Sequence, residues 1–343
     1  MVTIKEVAEE AGVSITTVSH VINDTRYVSD DLTEKVFRAM KDLNYRPNNV
    51  ARSLRSGRTK TIGLIVPDIS NPFFAEFSRK IEDIGFKFGY NVILCNADED
   101  NKKEQIYIDV LLSKQVDGLI FFATGDSQDV KKTLYKYDVP VVITDREAEG
   151  IKTDLVLIDN QRGGYQATNY LLSLNHKRIG CISGPSLIRP SAQRVEGYLQ
   201  ALEEAGIEPD HALIRMGNFR FHSGETEMLA LMDLPDPPTA VFVCNDVMAL
   251  GAMRGVQGAG MRIPEDVSII GFDNSPLSSM VFPQLTTISQ PIKEMADLTV
   301  ELLIEKINLK ENQKRQKDLK PEFKRIVLDT SLVIRGSCKN YDG

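Results

Sequence analysis

From Thr61 onward, short apolar-rich runs alternate with longer amphipathic stretches, and this alternation constrains the fold more than any other feature of the chain. TIGLIVPDI precedes a helical pattern from about Pro72 to Gly89, NVILCNA precedes one near Lys102 to Lys114, and DGLIFFA and PVVITD follow. The pattern resumes with LVLIDN, a helix through Tyr165 to Leu174, RIGCISG, a helix near Gln193 to Ala205, AVFVCND, a helix to Gly255, VSIIGFD and LTTISQP. Strands that alternate with helices in this way are βαβ units, with parallel strands covered on both faces. Two such sheets fit the residues available. Parallel sheets take ligands at the carboxyl ends of their strands, where this chain places Asp68, Asp145, Asn245, Asp273 and Gln290.

The first sixty residues follow another rule. Ile4, Val7, Ala8 and Ala11 recur at helical spacing behind a Thr3–Glu6 capping box, and Gly12 stops that helix. Ser14 can cap a second helix whose buried face is Val18, Val21 and Ile22. At about 100° per residue, this turns Thr16, His20 and Asn23 outward and puts Ile15, Thr17 and Ser19 on the flanks. Ser29, Asp30 and Asp31 open a third helix with Leu32, Val36, Ala39, Met40 and Leu43 as its apolar stripe. Three short helices with a tight first turn suggest helix-turn-helix. A second helix that shows Thr, Ser, His and Asn suits the base edges of a DNA major groove better than plain solvent.

Net charge points the other way until it is divided. The chain carries 41 Lys+Arg against 48 Asp+Glu, a net of −7. Between Lys35 and Lys60, however, there are eight basic residues and one acid, so residues 1–60 are net +2 and the remainder −9. A positive arm on an acidic body is the asymmetry expected where one end meets phosphate, although charge by itself fits a solvated linker better. Cys95, Cys181, Cys244 and Cys338 form no C-x-x-C pair, and three of them sit in strand-like runs, so they read as reduced core residues. No apolar run is long enough to cross a membrane, and MVTIKEVAEE carries acid where an export signal would be apolar; the expected location is cytoplasmic, in a bacterium, associated with the nucleoid.

TIKEVAEEAGVSITTVSHVIN closely resembles the DNA-binding headpiece of the LacI/GalR family of bacterial repressors, with the ribose operon repressors as its nearest branch. The resemblance makes Ile15, Thr16 and His20 the base readers and gives Asn23, Arg26 and Tyr45 to the DNA backbone. YRPNNVARSLRSG resembles the family's hinge, a helix that forms on operator DNA. Its Leu54 is then the apolar wedge at the central minor-groove step, with Ala51 and Arg55 beside it. The motifs NPFF, DGLI, ITDR, RVEGY, CNDVMALG, GFDN and TTISQP resemble the same family's effector core, itself similar to periplasmic sugar-binding proteins.

The implied architecture is an N-terminal all-α helix-turn-helix headpiece (residues 1–47), a hinge helix and linker (48–60), and an α/β periplasmic-binding-protein-like core of two doubly wound parallel-sheet lobes. The first lobe comprises 61–160 and 292–322, the second 161–291 and 323–343, joined by crossovers near Asn160, Gln290 and Phe323. The helix from about Ile292 to Ile307 packs on lobe one, the polar run Lys310–Lys320 is a solvated loop, and RIVLDTSLVIRGS returns to lobe two.

By resemblance to ribose-binding proteins, the effector residues are Asn71, Phe73, Phe74, Asp145, Arg146, Arg194, Phe219, Asn245, Asp273 and Gln290. A sugar's hydroxyls both donate and accept, so a sugar site needs carboxylate, amide and guanidinium groups and a flat apolar wall, which this set supplies. Read singly, each residue has a plainer role open to it. Phe73 and Phe74 fit a core, Asp145, Asp273 and Asn245 fit helix caps, and Arg194 fits a surface cation.

The expected partners are palindromic operator DNA, a ribose-like pentose, a second copy of the chain and, in some family members, a phosphocarrier co-repressor, with no membrane and no cofactor. In ribose-type repressors the sugar releases DNA, whereas purine-responding relatives tighten. An enzyme is not expected. The first strand runs into PDISNPFF without a G-x-G-x-x-G turn, the glycines of GVQGAG stand between helix and strand, and His20, His176, His211 and His222 are dispersed. A sugar-transport protein would share the core but lack residues 1–60.

Overall fold

The computed structural model describes residues 2–23, 25–45, 58–123, 128–147, 150–313 and 322–342. The chain forms two compact units, Met1–Thr59 and Lys60–Gly343.

In the first unit, α1 (Ile4–Ala11), α2 (Ile15–Asn23) and α3 (Asp30–Asp42) enclose a small core of Val7, Ala8, Val18, Val36 and Ala39. Both halves of the capping box are made: Thr3 Oγ1 accepts from the Glu6 amide and Glu6 Oε2 accepts from the Thr3 amide at 2.7 Å. Gly12 ends α1 at φ 64°, a conformation open to glycine and strained for other residues, which makes the tight turn into α2. Ser14 Oγ then accepts from the Thr17 amide at 3.0 Å.

The second unit begins with β1 (Thr61–Val66), α4 (Pro72–Lys87), β2 (Asn91–Asn96), α5 (Asn101–Ser113), β3 (Gly118–Phe121), α6 (Gln128–Tyr137), β4 (Val141–Thr144) and β5 (Asp154–Ile158). The chain then crosses into α7 (Asn160–Ser173), β6 (Ile179–Ser183), α8 (Arg189–Glu204), β7 (Ile214–Met216), α9 (Phe221–Met232), β8 (Ala240–Val243), α10 (Asp246–Gly258), β9 (Ser268–Asp273) and β10 (Thr286–Ser289). Last come α11 (Ile292–Gln313), β11 (Arg325–Leu328) and β12 (Ser331–Val333). Two six-stranded sheets result, ordered β11-β5-β4-β3-β1-β2 and β12-β10-β9-β8-β6-β7. The paired strands run parallel except β12, which is antiparallel to β10.

Period-two alternation explains how the first sheet is covered. Leu64, Ile120 and Val142 face one way, into the core that α4 and α11 share, while Ile65, Leu119, Phe121 and Ile143 face the other, with Ile108 and Leu111 of α5. In the second sheet, α7 and α8 pack closely enough that a Cβ on Gly164 would stand 2.1 Å from the Arg194 carbonyl oxygen, and one on Gly197 1.9 Å from that of Gln161. The two glycines permit this approach and thereby fix Arg194 over the sheet.

The C-terminal strand needs a correction. Residues 323–343 were expected in lobe two, with the third crossover near Phe323. Instead Arg325–Leu328 pairs in parallel with Leu155–Ile158 of the first sheet, and the chain joins the second lobe only from Ser331, where Ser331–Val333 lies opposite Thr287–Ser289 and Gly336, Ser337 and Tyr341 bond to the same lobe further on. RIVLDTSLV reads as one continuous strand, but β5 and β10 each have a free edge and each takes half of it. The crossing falls at Asp329–Thr330. The helix of α11 also runs through Gln313, into the segment read as loop, and residues 314–320 of that run lie outside the described residues. Among the described residues, no helix is long and apolar enough to cross a membrane.

Candidate effector cleft and DNA-reading helix

The headpiece helix α2 buries Val18 and leaves Ile15 and Thr16 exposed. His20 and Asn23 are half-buried, less open than the outward reading implied. His20 Nδ1 lies 2.8 Å from Thr25 Oγ1, and the Asn23 amide donates to the Ser19 carbonyl at 2.8 Å. Arg26 is exposed, while Tyr45 packs partly against the headpiece core. Ala51, Leu54 and Arg55 lie outside the described residues, as does the hinge helix predicted around them.

In the second unit, one cleft between the sheets is lined by all ten of the carried-over residues: Asn71, Phe73, Phe74, Asp145, Arg146, Arg194, Phe219, Asn245, Asp273 and Gln290. It encloses about 560 Å3 of empty space when its solvent-filled mouth is counted. Strand ends supply Asp145 (after β4), Asn245 (after β8), Asp273 (β9) and Gln290 (after β10), as expected where parallel strands stop.

The plainer roles and the cleft roles coexist. Asn71 and Asn245 are helix caps, since Asn71 Oδ1 accepts from the Phe73 amide at 3.0 Å and Asn245 Oδ1 from the Met248 amide at 2.9 Å. Asn245 also donates to the Phe219 carbonyl at 3.1 Å, which ties the two together. Phe73 and Phe74 are buried and belong to an edge-to-face cluster with Phe77 and Phe122, yet both reach the cleft wall. Arg194 is not a surface cation. It is buried, stacks 3.7 Å above the Phe272 ring, donates to Asn160 Oδ1 at 2.8 Å and the Cys244 carbonyl at 2.6 Å, and stands 3.8 Å from Asp273 Oδ1.

Arg146 is held differently. Its Nη1 and Nη2 donate to the two carboxylate oxygens of Glu99 at 2.7 and 2.8 Å, and its Nε lies 3.5 Å from Asp145 Oδ2 without a hydrogen bond. Asp145 and Asp273 both take positive φ, 66° and 115°. Burial raises the Asp145 carboxyl above its usual range against the pull of Arg146 and Arg194. Burial likewise pushes Asp273 up to about 8, opposed by Arg194 and reinforced by Asp246, although Gln290 donates to it at 2.8 Å. Three buried polar atoms of the cleft have no hydrogen-bond partner: Asp145 Oδ1, Arg146 Nε and Gln290 Oε1. Orphans of this kind are costly in a packed interior and mark where a polar ligand would bond.

Six further residues line the cleft: Asp68, Glu99, Ile188, Pro190, Asn218 and Arg220. Asp68 follows β1 and was marked by the strand-end rule alone. Glu99 sits in the acidic run DED after β2, and its pairing with a residue 47 positions away leaves no local signal. His176 is buried and structural: its ring nitrogens meet Thr239, Ser268 and the Lys339 carbonyl within 3.1 Å.

Residues 59–324 match the family described as periplasmic binding proteins and sugar binding domain of LacI family, and residues 3–48 match bacterial regulatory proteins, lacI family. The chain is 40% identical over 343 residues, all of both chains, to the HTH-type transcriptional repressor PurR of Photobacterium profundum. It is similar to a lac repressor dimer bound to operator and the anti-inducer ONPF, with TM-score 0.85 and 28% identity over 98% of this chain and 99% of that one. A LacI family transcriptional regulator from Enterococcus faecium with bound ribose is 34% identical, with TM-score 0.71 over 82% of this chain and all of that one. The helix-turn-helix, the pair of parallel-sheet lobes and both family matches agree: this chain belongs to the LacI family and is a DNA-binding transcriptional repressor.

Proposed function

We propose that the chain represses a sugar-utilisation operon by binding a palindromic operator as a homodimer, and that a pentose, D-ribose first, enters the cleft and releases it. One observation carries this reading. Ten residues scattered from Asn71 to Gln290 converge on one cleft and supply the carboxylates, amides, guanidinium groups and aromatic wall that a polyol requires. The likeness to a ribose-bound relative supports it. Ile15, Thr16 and His20 read bases, with Asn23, Arg26, Tyr45, Ala51, Leu54 and Arg55 on the backbone and minor groove. Two copies are needed because a single headpiece covers too little DNA for useful specificity. A regulator of this kind works in the cytoplasm, on the nucleoid, and turns over neither sugar nor nicotinamide.

Sugar binding alters the relative orientation of the lobes and thereby the dimer's grip on DNA; by reciprocity, operator DNA weakens sugar binding by the same factor. Fluorescence anisotropy on operator and random DNA, with and without ribose, tests these statements together. The expected result is operator preference and a roughly tenfold or greater loss of affinity with ribose. Equal binding to both DNAs ends the operator reading. Calorimetric titration with pentoses, hexoses, hexose phosphates and purines tests the effector, and silence for every pentose ends that part.

Similarity to repressors named PurR along the whole chain favours a second reading, in which a different effector or a phosphocarrier protein acts as co-repressor. In that case the added ligand strengthens operator binding instead of weakening it.

A further inference from the structure

Glu99 follows β2 with φ 57°, next to Asp98 at φ 56°, and this backbone turns its carboxylate onto Arg146. The two-toothed pair occupies the edge of the guanidinium that would otherwise grip a phosphate or carboxylate. The other cleft arginines are matched as well. Arg194 is held by Asn160, the Cys244 carbonyl and Asp273, and Arg220 Nη2 lies 3.7 Å from Asp68 Oδ2. Each of these three arginines therefore has a carboxyl group within 4 Å, and the pair on Arg146 is the tight one.

The orphaned atoms point the same way. Asp145 Oδ1 and Gln290 Oε1 accept, and Arg146 Nε donates, so the complementary ligand donates at two points and accepts at a third. Hydroxyl groups do this. A phosphate monoester near neutral pH carries about −1.5 to −2 charges and chiefly accepts, so at Arg146 it would meet an edge already filled by Glu99.

We propose that Glu99 makes this cleft select an uncharged, hydroxyl-rich sugar over the phosphorylated form of the same sugar, by holding Arg146 in a closed ion pair. Glu99 acts through Arg146 and is a positioning residue. The proposal deepens the sugar-effector reading and rests on it, so the test must separate the two.

Calorimetric titration of the full chain with D-ribose and D-ribose 5-phosphate should show a preference for the neutral sugar of about 100-fold. Glu99→Gln should narrow that ratio at least roughly tenfold, and Glu99→Asp, which keeps the charge, should restore most of it. A second measurement does not depend on the sugar's identity: inorganic phosphate should raise the melting temperature of Glu99→Gln and not of the unaltered chain, and adding Arg146→Gln should abolish the rise. If Glu99→Gln leaves the ratio unchanged and gains no stabilisation by phosphate, Glu99 does not set specificity, whether or not ribose binds. If ribose does not bind while Glu99→Gln still gains stabilisation by phosphate, the ribose reading fails and the exclusion of phosphate from Arg146 by Glu99 stands. Should Glu99→Gln not fold, the unaltered chain decides, because equal affinity for ribose and ribose 5-phosphate overturns the proposal.

Discussion

Asp145 and Asp273 occupy the same place in two sheets of matching order. β4 is the third strand of β11-β5-β4-β3-β1-β2, β9 is the third of β12-β10-β9-β8-β6-β7, and each aspartate closes its strand at positive φ, buried, beside an arginine. The arginines differ in origin. Arg146 is the next residue in the chain and depends on Glu99, whose side chain is 31% exposed, whereas Arg194 comes from α8 and is braced by a side-chain oxygen, a backbone carbonyl and the Phe272 ring. Shared topology places the carboxylate, but local packing decides how firmly its cation is held. The second lobe offers a rigid half-site and the first an adjustable one.

The largest expected effect tests that contrast directly. Arg194→Met strips Asn160 and the Cys244 carbonyl of their common donor and Asp273 of its neighbouring cation, and should cost about 3–5 kcal/mol in urea unfolding, the range for removing one member of a buried charged cluster. Arg146→Met should cost less, because Glu99 can turn to water, while effector affinity collapses in both variants. Equal losses of stability would break the comparison. Next, Gly164→Ala inserts a methyl against the Arg194 backbone and should cost roughly 1–3 kcal/mol, with weaker effector binding, since it moves the helix that carries the rigid arginine.

Asp273→Asn probes the acid itself. With its pKa at about 8 in the folded chain against an ordinary 3.8, the folded state holds a proton that the unfolded state has already released. Native stability should therefore fall as pH rises from about 4 to 8, and the variant should flatten that slope. If sugar hydroxyls donate to the ionised carboxylate, binding below pH 8 releases a proton and affinity climbs with pH, which appears as a buffer-dependent enthalpy that the variant lacks. The smallest effect belongs to Asp68→Asn. The Arg220–Asp68 pair is long and Arg220 is 63% exposed, so effector affinity should change by less than about fivefold. A larger change would make the cross-cleft pair a latch.

Much of this was legible in the residues. Alternation of apolar runs with amphipathic stretches specifies parallel sheets, and the strand-end rule marks Asp68, Asp145, Asn245, Asp273 and Gln290 without any relative. Phe73, Phe219 and Arg194 needed motif resemblance, because a buried aromatic and a helical arginine look alike in core, surface and site. Glu99 was missed because its role lies in a long-range pair that a local acidic turn does not advertise. The split of RIVLDTSLV was missed for a related reason: period-two patterning says that a segment is extended but not which edge it joins.

The strand pair at 325–328 and 331–333 also sets an order of assembly during synthesis. β11 is the outer strand of one sheet and β12 of the other, so neither sheet has its six strands until the ribosome has passed Val333. The three-helix headpiece is finished within its first sixty residues. A growing chain thus owns a folded DNA-reading domain long before it can answer to a small molecule.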